Sequence, residues 1–402
     1  MQRRAKKIGE TMFRDWRQAL HTPHIYRVVG NRTTSRIPNQ FFILFIIAII
    51  FMLFMLFYAR LPLMLNNNSL DTSRENEIVA QCIGHKYNTV YPITAPIKTA
   101  SGITFKIAII SDLDLESKSN NEKNTWISIF KKGQLLWLPQ SNHISISWSP
   151  DEIHLSSTLA MKGRGMELSE LVTFDGNLTS FDDRTGLIYH IDHDKAYPWI
   201  ILMDGNGKNQ KGFKSEWATM KNQQLYIGSM GKEWTTASGE FIHNNPMWIK
   251  ILSPCGHVQS VDWTGNFKKL RQAINIEFPG YMIHESGAWS DIHNRWFFLP
   301  RRCSQDQYNE TRDETMSCNV LLIADENFNS IKVTLIDNPI KIRGFASFKF
   351  LPGSQDTIIV ALKTEEYQGQ TATYITAFTI DGRILLPDRK ISQKKFEGLD
   401  FI

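Results

Sequence analysis

The chain has 402 residues, enough for one large domain or two ordinary ones, and its 42% hydrophobic content excludes wholesale disorder. Its formal net charge of +5 is unevenly held: residues 1–40 carry nine Lys/Arg against Glu10 and Asp15, which leaves everything after residue 40 at −2. That distribution excludes a basic nucleic-acid footprint on the folded part, so no nucleic-acid partner is expected.

Residues 1–40 read as a basic cytosolic tail. The uncharged run from Phe41 to Tyr58, resumed after Arg60 by LPLML, predicts a transmembrane signal anchor over 41–65, since a spanning helix needs about 20 apolar residues. A buried core helix would keep a polar face, and a cleaved leader would carry a shorter apolar region and a small-residue cleavage site. Basic residues before the run and few just after it predict a cytosolic N-terminus and a lumenal C-terminal domain, with release as a soluble form left open. Sequons at Asn67, Asn177 and Asn309 permit glycosylation there, whereas Asn31 falls on the cytosolic side. Of the four cysteines, Cys303 and Cys318 either bridge a local loop or stand as free thiols. Residues 66–86, with NNNSLDTSRENE, read as a lumenal stalk.

From 87 to 402 the pattern becomes short β-rich runs between Gly, Asn and Asp turns, such as ITFKIAIIS, QLYIG, RWFFLP and TIIVAL. Only FKKLRQAI, from Phe267, reads as helix. Four segments share one outline of strand, polar turn, strand and charged loop, beginning at Met166, Ser215, His284 and Phe345. A fifth copy, EGLDFI at Glu397, stops after one strand. Its missing half, KIAIISDLDLES, stands at Lys106. A split repeat of this kind predicts an all-β, five-bladed β-propeller closed by pairing its N- and C-terminal strands, which a sandwich would not require.

Aligning the copies puts Ser169, Glu216, Glu285, Ala346 and Glu397 at one level around the central channel. Three carboxylates with hydroxyl and carbonyl oxygens suit Ca²⁺, which takes six to eight oxygen ligands; the bland alternative is that they satisfy strand ends. Loops nearer the mouth supply Asp112, Asp114, Asp183, Lys232, Glu233, Arg301 and Arg302, with Lys162 and Arg164 in KGRG. Most mixed charge on loops is solvated surface, yet phosphoryl chemistry needs cations for phosphate and carboxylates to orient water. Asp112 or Asp114 is the candidate for the water, with Arg164, Arg301 and Lys232 for phosphate charge. Arg302, next to Arg301 on a strand whose adjacent residues face opposite sides, is expected to point into the blade and to matter mainly for stability. Trp217 and Trp234 are candidates for stacking on a base, although tryptophans of a propeller more often pack between blades.

KGRGMELSEL, DDRTG, KGFKSEW, GKEWTT, GYMIHES, RWFFLPRR and EGLDFI resemble the motifs of the calcium-activated nucleotidase (apyrase) family, over about Tyr87 to Ile402. The stem and anchor resemble those of its vertebrate-type membrane form, which implies a location in the endoplasmic reticulum or Golgi. The resemblance implies a five-bladed propeller, a central Ca²⁺ on Ser169, Glu216, Glu285, Ala346 and Glu397, and hydrolysis of nucleoside di- and triphosphates, UDP and GDP foremost. Ala346 replaces a serine common in the family, so only its carbonyl is available. A monomer or homodimer acting on a nucleotide is then expected. The alternatives are a lumenal glycosidase or lactonase, or a glycan- or protein-binding propeller using Ca²⁺ for rigidity; a binding module needs no convergent Arg/Lys and Asp set.

Overall fold

Punctuation by turns breaks residues 97–402 into antiparallel strands too short to form one large sheet, and they stack instead as blades. The computed structural model describes residues 49–55, 84–336 and 340–402. The chain divides into two compact units, Met1–Arg74 and Glu75–Ile402. In the first, residues 49–55 are helical with exposed apolar side chains. No helix among the described residues is long and apolar enough to cross a membrane; the rest of the anchor expected at 41–65, the tail and most of the stalk lie outside them.

In the second unit, blade 1 contains β1 (Ile97–Lys98), β2 (Ile103–Ser111), β3 (Trp126–Leu138) and β4 (His143–Ser157). Blade 2 is β5 (Leu168–Phe174), β6 (Asn177–Asp182), β7 (Leu187–Asp192) and β8 (Lys195–Ile201). Blade 3 is β9 (Trp217–Lys221) and β10 (Gln224–Gly228), then a hairpin of β11 (Trp234–Thr235) and β12 (Phe241–His243), then β13 (Trp248–Leu252) and β14 (Val258–Asp262). Helix α1 (Thr264–Gln272) follows, as expected, burying Phe267, Leu270 and Arg271. Blade 4 is β15 (Tyr281–Ser290), β16 (Arg295–Ser304), β17 (Val320–Asp325) and β18 (Ile331–Leu335). Blade 5 is β19 (Arg343–Phe350), β20 (Ile358–Tyr367), β21 (Gln370–Thr379) and β22 (Ile384–Ser392).

The last strand, β23 (Phe396–Phe401), returns to blade 1 and pairs with β2, Ile107 opposite Phe401 and Ile109 opposite Leu399. This is the closure that the split repeat predicts. Closure leaves the innermost strands with neighbours on both faces, which is why β5 and β23 are buried almost throughout rather than in alternation.

Each pair of adjacent blades holds one apolar cluster: Phe105 and Leu362 between blades 1 and 5, Phe130 and Leu171 between 1 and 2, Phe181 and Ile227 between 2 and 3, Trp217 and Phe298 between 3 and 4, Phe297 and Phe345 between 4 and 5. Here the structure corrects the stacking role expected of Trp217. Its ring is fully buried among Trp263, Trp296 and Phe298. Gly228, opposite it on β10, has no side chain because a Cβ would lie 2.0 Å from that ring. Truncating so large a core ring costs about 3–5 kcal/mol, so Trp217 serves packing. Cys303 and Cys318 form a disulfide across the loop leaving β16, with Cα atoms 5.4 Å apart.

Candidate active site

The ring read from the repeats assembles on the innermost strands. Ser169, Glu285, Ala346 and Glu397 each fall at a β-bulge, where the register with the next strand skips. Glu216 directly precedes β9 and donates its N–H to Gly228 O at 2.8 Å. Bulges re-aim side chains and carbonyls away from the ladder, and here four strands bulge at the same level. Ser169, Glu216, Ala346 and Glu397 are buried and Glu285 nearly so.

The ring fits a cation. Glu216 gives Oε1 to Lys214 at 2.7 Å, while Glu285 Oε2 and Glu397 Oε1 both take Arg301 Nη1. The second oxygen of each carboxylate has no hydrogen bond among the described residues. The buried Ser169 Oγ has no partner either, and an orphaned buried hydroxyl costs about 1–3 kcal/mol unless something binds it. Burial, with the charges of Glu285 and Asp183, outweighs Lys214 and pushes Glu216 up to about 8. Burial likewise raises Glu397, with Glu285 and Asp112 adding to it. Crowded buried carboxylates of this kind favour a proton or a metal ion.

A second acidic cluster, Asp112, Asp114 and Glu167, brings ligand oxygens within 4.8 Å of one another. Its cations are already in place. Arg164 bridges Asp114 and Glu167, and Lys395 bridges Asp112 (2.8 Å) and Asp114 (2.5 Å). The ring carboxylates are paired as well, with Lys214 and Arg301, but each keeps one oxygen without a hydrogen bond among the described residues, which Asp112, Asp114 and Glu167 do not.

Local turns aim the mouth residues. Lys162 and Gly163, both at positive φ, make a two-residue hairpin closed by Met161 and Arg164. It points Arg164 at the carboxylates and leaves Lys162 exposed at the tip. Asp182 Oδ1 accepts the N–H groups of Arg184 and Thr185, fixing the turn that presents Asp183. Asp112 Oδ1 likewise accepts the Asp114 N–H at 2.8 Å. Asp112 and Asp114 thus have every carboxylate oxygen engaged. Asp183 does not: Oδ2 pairs with Lys214, but the buried Oδ1 has no partner among the described residues. Burial, against the nearby Lys214 charge, raises the Asp183 carboxyl above its usual range.

Glu233 is held by both Nη atoms of Arg271, at 2.7 and 3.0 Å, in a buried fork. Lys232 sits 4.2 Å over the Tyr308 ring, and Trp234 has Lys211 Nζ 4.3 Å over its ring. Lys363 and Glu365 turn away toward Asp388 and Arg343, whereas Glu366 joins Arg301 and Lys395. Sequence reasoning passed over Glu167, Lys214 and Lys395. A signal exists for two of them: Lys214-Ser215-Glu216 and Lys395-Phe396-Glu397 repeat one Lys-x-Glu at equivalent blade positions.

Around the mouth, ion pairs engage eight carboxylates (Asp112, Asp114, Glu167, Asp183, Glu216, Glu285, Glu366, Glu397) and five cations (Arg164, Arg184, Lys214, Arg301, Lys395). Lys162, Lys232 and Arg302, in no ion pair among the described residues, bring the cations there to eight as well.

A closed propeller that gathers buried acids, clustered cations and an unengaged carboxylate oxygen at one mouth carries the groups that a phosphohydrolase uses. The comparisons give the particular family. The model of the apyrase family matches residues 113–402. Soluble calcium-activated nucleotidase 1 of Rattus norvegicus is 50% identical over 317 residues, 79% of this chain and 78% of that one. The protein of the same name from Mus musculus is 50% identical over 322 residues, covering 80% and 79%. An apyrase of Cimex lectularius is 49% identical over 317 residues, covering 78% and 87%. The chain belongs to the apyrase family and is a nucleotide-hydrolysing enzyme.

Proposed function

We propose that the chain is a calcium-dependent hydrolase of nucleoside di- and triphosphates, UDP and GDP foremost, releasing inorganic phosphate. The observation that carries the calcium assignment is the ring of bulged inner strands, with three half-free carboxylates and the orphaned Ser169 hydroxyl. Ser169, Glu216, Glu285, Glu397 and the Ala346 carbonyl would hold the ion, which when bound supplies charge neutralisation for the phosphates. The relatives named for calcium activation support the same reading.

The chain's own residues do the rest. Arg164 and Lys395, already at the mouth, bring positive charge to phosphate oxygens, while Lys162 and Lys232 add cations that no carboxylate engages among the described residues. Asp183 Oδ1 is the acceptor placed to orient water for in-line attack and take its proton. Asp112 and Asp114 hold Lys395 and Arg164 in position. Glu233 holds Arg271 and through it the loop that carries Lys232. Phosphate release from UDP, GDP, ADP and ATP, with calcium titrated against a chelator, tests the proposal. Activity should be lost in chelator and restored by calcium. Equal turnover in chelator would remove calcium from the mechanism.

A lumenal, type II orientation is part of the same reading. It is supported by the basic tail before an apolar run, by the Cys303–Cys318 disulfide and by exposed Asn177 and Asn309. In microsomes the domain after residue 86 should resist added protease and carry glycan at Asn177 or Asn309. A protease-sensitive, unglycosylated domain would reverse the orientation.

A further inference from the structure

Most cations at the mouth have a carboxylate. Arg302 does not. It follows Arg301 on β16 at a β-bulge, where Ile283 pairs with Arg302 and His284 with Pro300, so Arg301 is the extra residue and simple alternation does not separate the two side chains. Arg301 goes to Glu285, Glu366 and Glu397. The Arg302 side chain lies against the loop that the Cys303–Cys318 disulfide closes and has Asp313 as a neighbouring charge. It is 2% exposed, makes no ion pair among the described residues, and its buried Nη1 has no hydrogen-bond partner. A guanidinium carries five donors in a planar fork. Burying one unpaired is among the costlier arrangements in a protein, and cores avoid it unless a ligand completes it.

The surroundings point to an anion. Lys232 is 5% exposed, and its Nζ reaches only Glu233 O at 2.9 Å and Thr235 Oγ1 at 3.2 Å, above the Tyr308 ring. Glu233 gives its carboxylate to Arg271, so it does not neutralise Lys232. Asp313 is the one acid close to both cations, and it is tied to Tyr281, whose hydroxyl donates to Oδ1 at 2.6 Å. Glu285 and Glu366 also act on Arg302, but both are engaged by Arg301, whose own charge opposes that of Arg302. Burial lowers Lys232 to about 8, so at neutral pH it remains mostly protonated.

We propose that Arg302 and Lys232 form an anion seat that takes a phosphate group of the nucleotide substrate. Arg302 supplies a two-pronged donor and Lys232 a point charge, the combination that recognises a tetrahedral oxyanion. The 303–318 loop roofs the seat, since Tyr308 on it supports Lys232 and Asp313 on it anchors Tyr281. The seat fixes which end of an anionic substrate faces the acidic mouth. Arg302 is thereby a binding and positioning residue, and the assignment rests on the nucleotide-hydrolase reading.

The test uses the calcium-loaded enzyme with Arg302→Gln, Arg302→Lys and Lys232→Gln. Each is measured for UDP hydrolysis and for thermal stabilisation by inorganic phosphate. Removing a charged donor fork should raise KM about ten- to a hundredfold, with kcat changed only a few-fold. Arg302→Gln should melt no lower than wild type without phosphate, because it discards an uncompensated buried charge, and should lose the phosphate-induced stabilisation. Arg302→Lys should fall between wild type and Arg302→Gln. Should Arg302→Gln not fold, Lys232→Gln decides by the same two readouts. Unchanged KM with phosphate stabilisation intact in the folded variants would overturn the seat and make Arg302 purely structural. A wild-type enzyme that is stabilised by phosphate yet inert toward UDP would instead refute the substrate assignment and leave the seat standing.

Discussion

Asp183→Asn should lower kcat by on the order of a hundredfold or more, the usual scale for losing a general base. The change keeps shape and the turn that Asp182 fixes, but it replaces the orphaned buried oxygen with a weaker base and frees Lys214. Asp114→Asn should cost much less, because Asp114 is about half exposed and both its oxygens serve Arg164 and Lys395. Steady-state UDP hydrolysis at saturating calcium, with melting curves as the folding control, separates the two. A folded Asp183→Asn enzyme with near-wild-type kcat, beside a crippled Asp114→Asn, would return the base to the 112–114 loop.

Arg301→Ala should be the most damaging single change to stability. Its buried guanidinium is shared by Glu285, Glu366 and Glu397, which come from blades 4, 5 and 1. Breaking a buried pair by removing one partner costs about 3–5 kcal/mol, because the remaining charge stays buried and uncompensated. Positive neighbours, Arg301 first and then Lys395, hold Glu366 down at about 2 against its burial. In the variant Glu366 and Glu397 should take up protons, and the melting temperature of the calcium-free protein should then fall as pH rises. Its sign follows from linkage: carboxyls whose folded pKa exceeds the unfolded value bind extra protons when folded, so folding loses stability as pH climbs through that window. Calorimetry across pH, with and without calcium, checks both statements. A loss below 1 kcal/mol would mean that the three acids do not depend on Arg301.

Much of this was legible before the fold was known. The split repeat at Lys106 and Glu397 announced the closure between β2 and β23, because a circular sheet leaves a linear trace of that kind. The level of Ser169, Glu216, Glu285, Ala346 and Glu397 was legible for the same reason. The bulges that turn these residues inward were not, since a bulge is one skipped partner on a neighbouring strand and leaves no period in either. Trp217 misled because an aromatic beside a ring residue reads alike whether it faces a ligand or the next blade; only Gly228 opposite it decides. The preference for Asp183 over Asp112 and Asp114 was equally hidden. It depends on which oxygens local turns and distant lysines consume, and Lys395 lies 281 residues from Asp114. Of the cysteine alternatives, pairing of Cys303 with Cys318 is the one realised.

The interleaved charges at the mouth have a kinetic consequence. A nucleotide is a polyanion, and it meets eight carboxylates set among as many cations, counting Lys162, Lys232 and Arg302 with the five in ion pairs. Electrostatic steering speeds encounter and fades as salt is added, but it needs a net field of one sign. With the two signs in equal number, nucleotide association should change little with ionic strength. Discrimination at such an entrance rests on contacts a few ångströms long, made after encounter, and not on attraction from a distance.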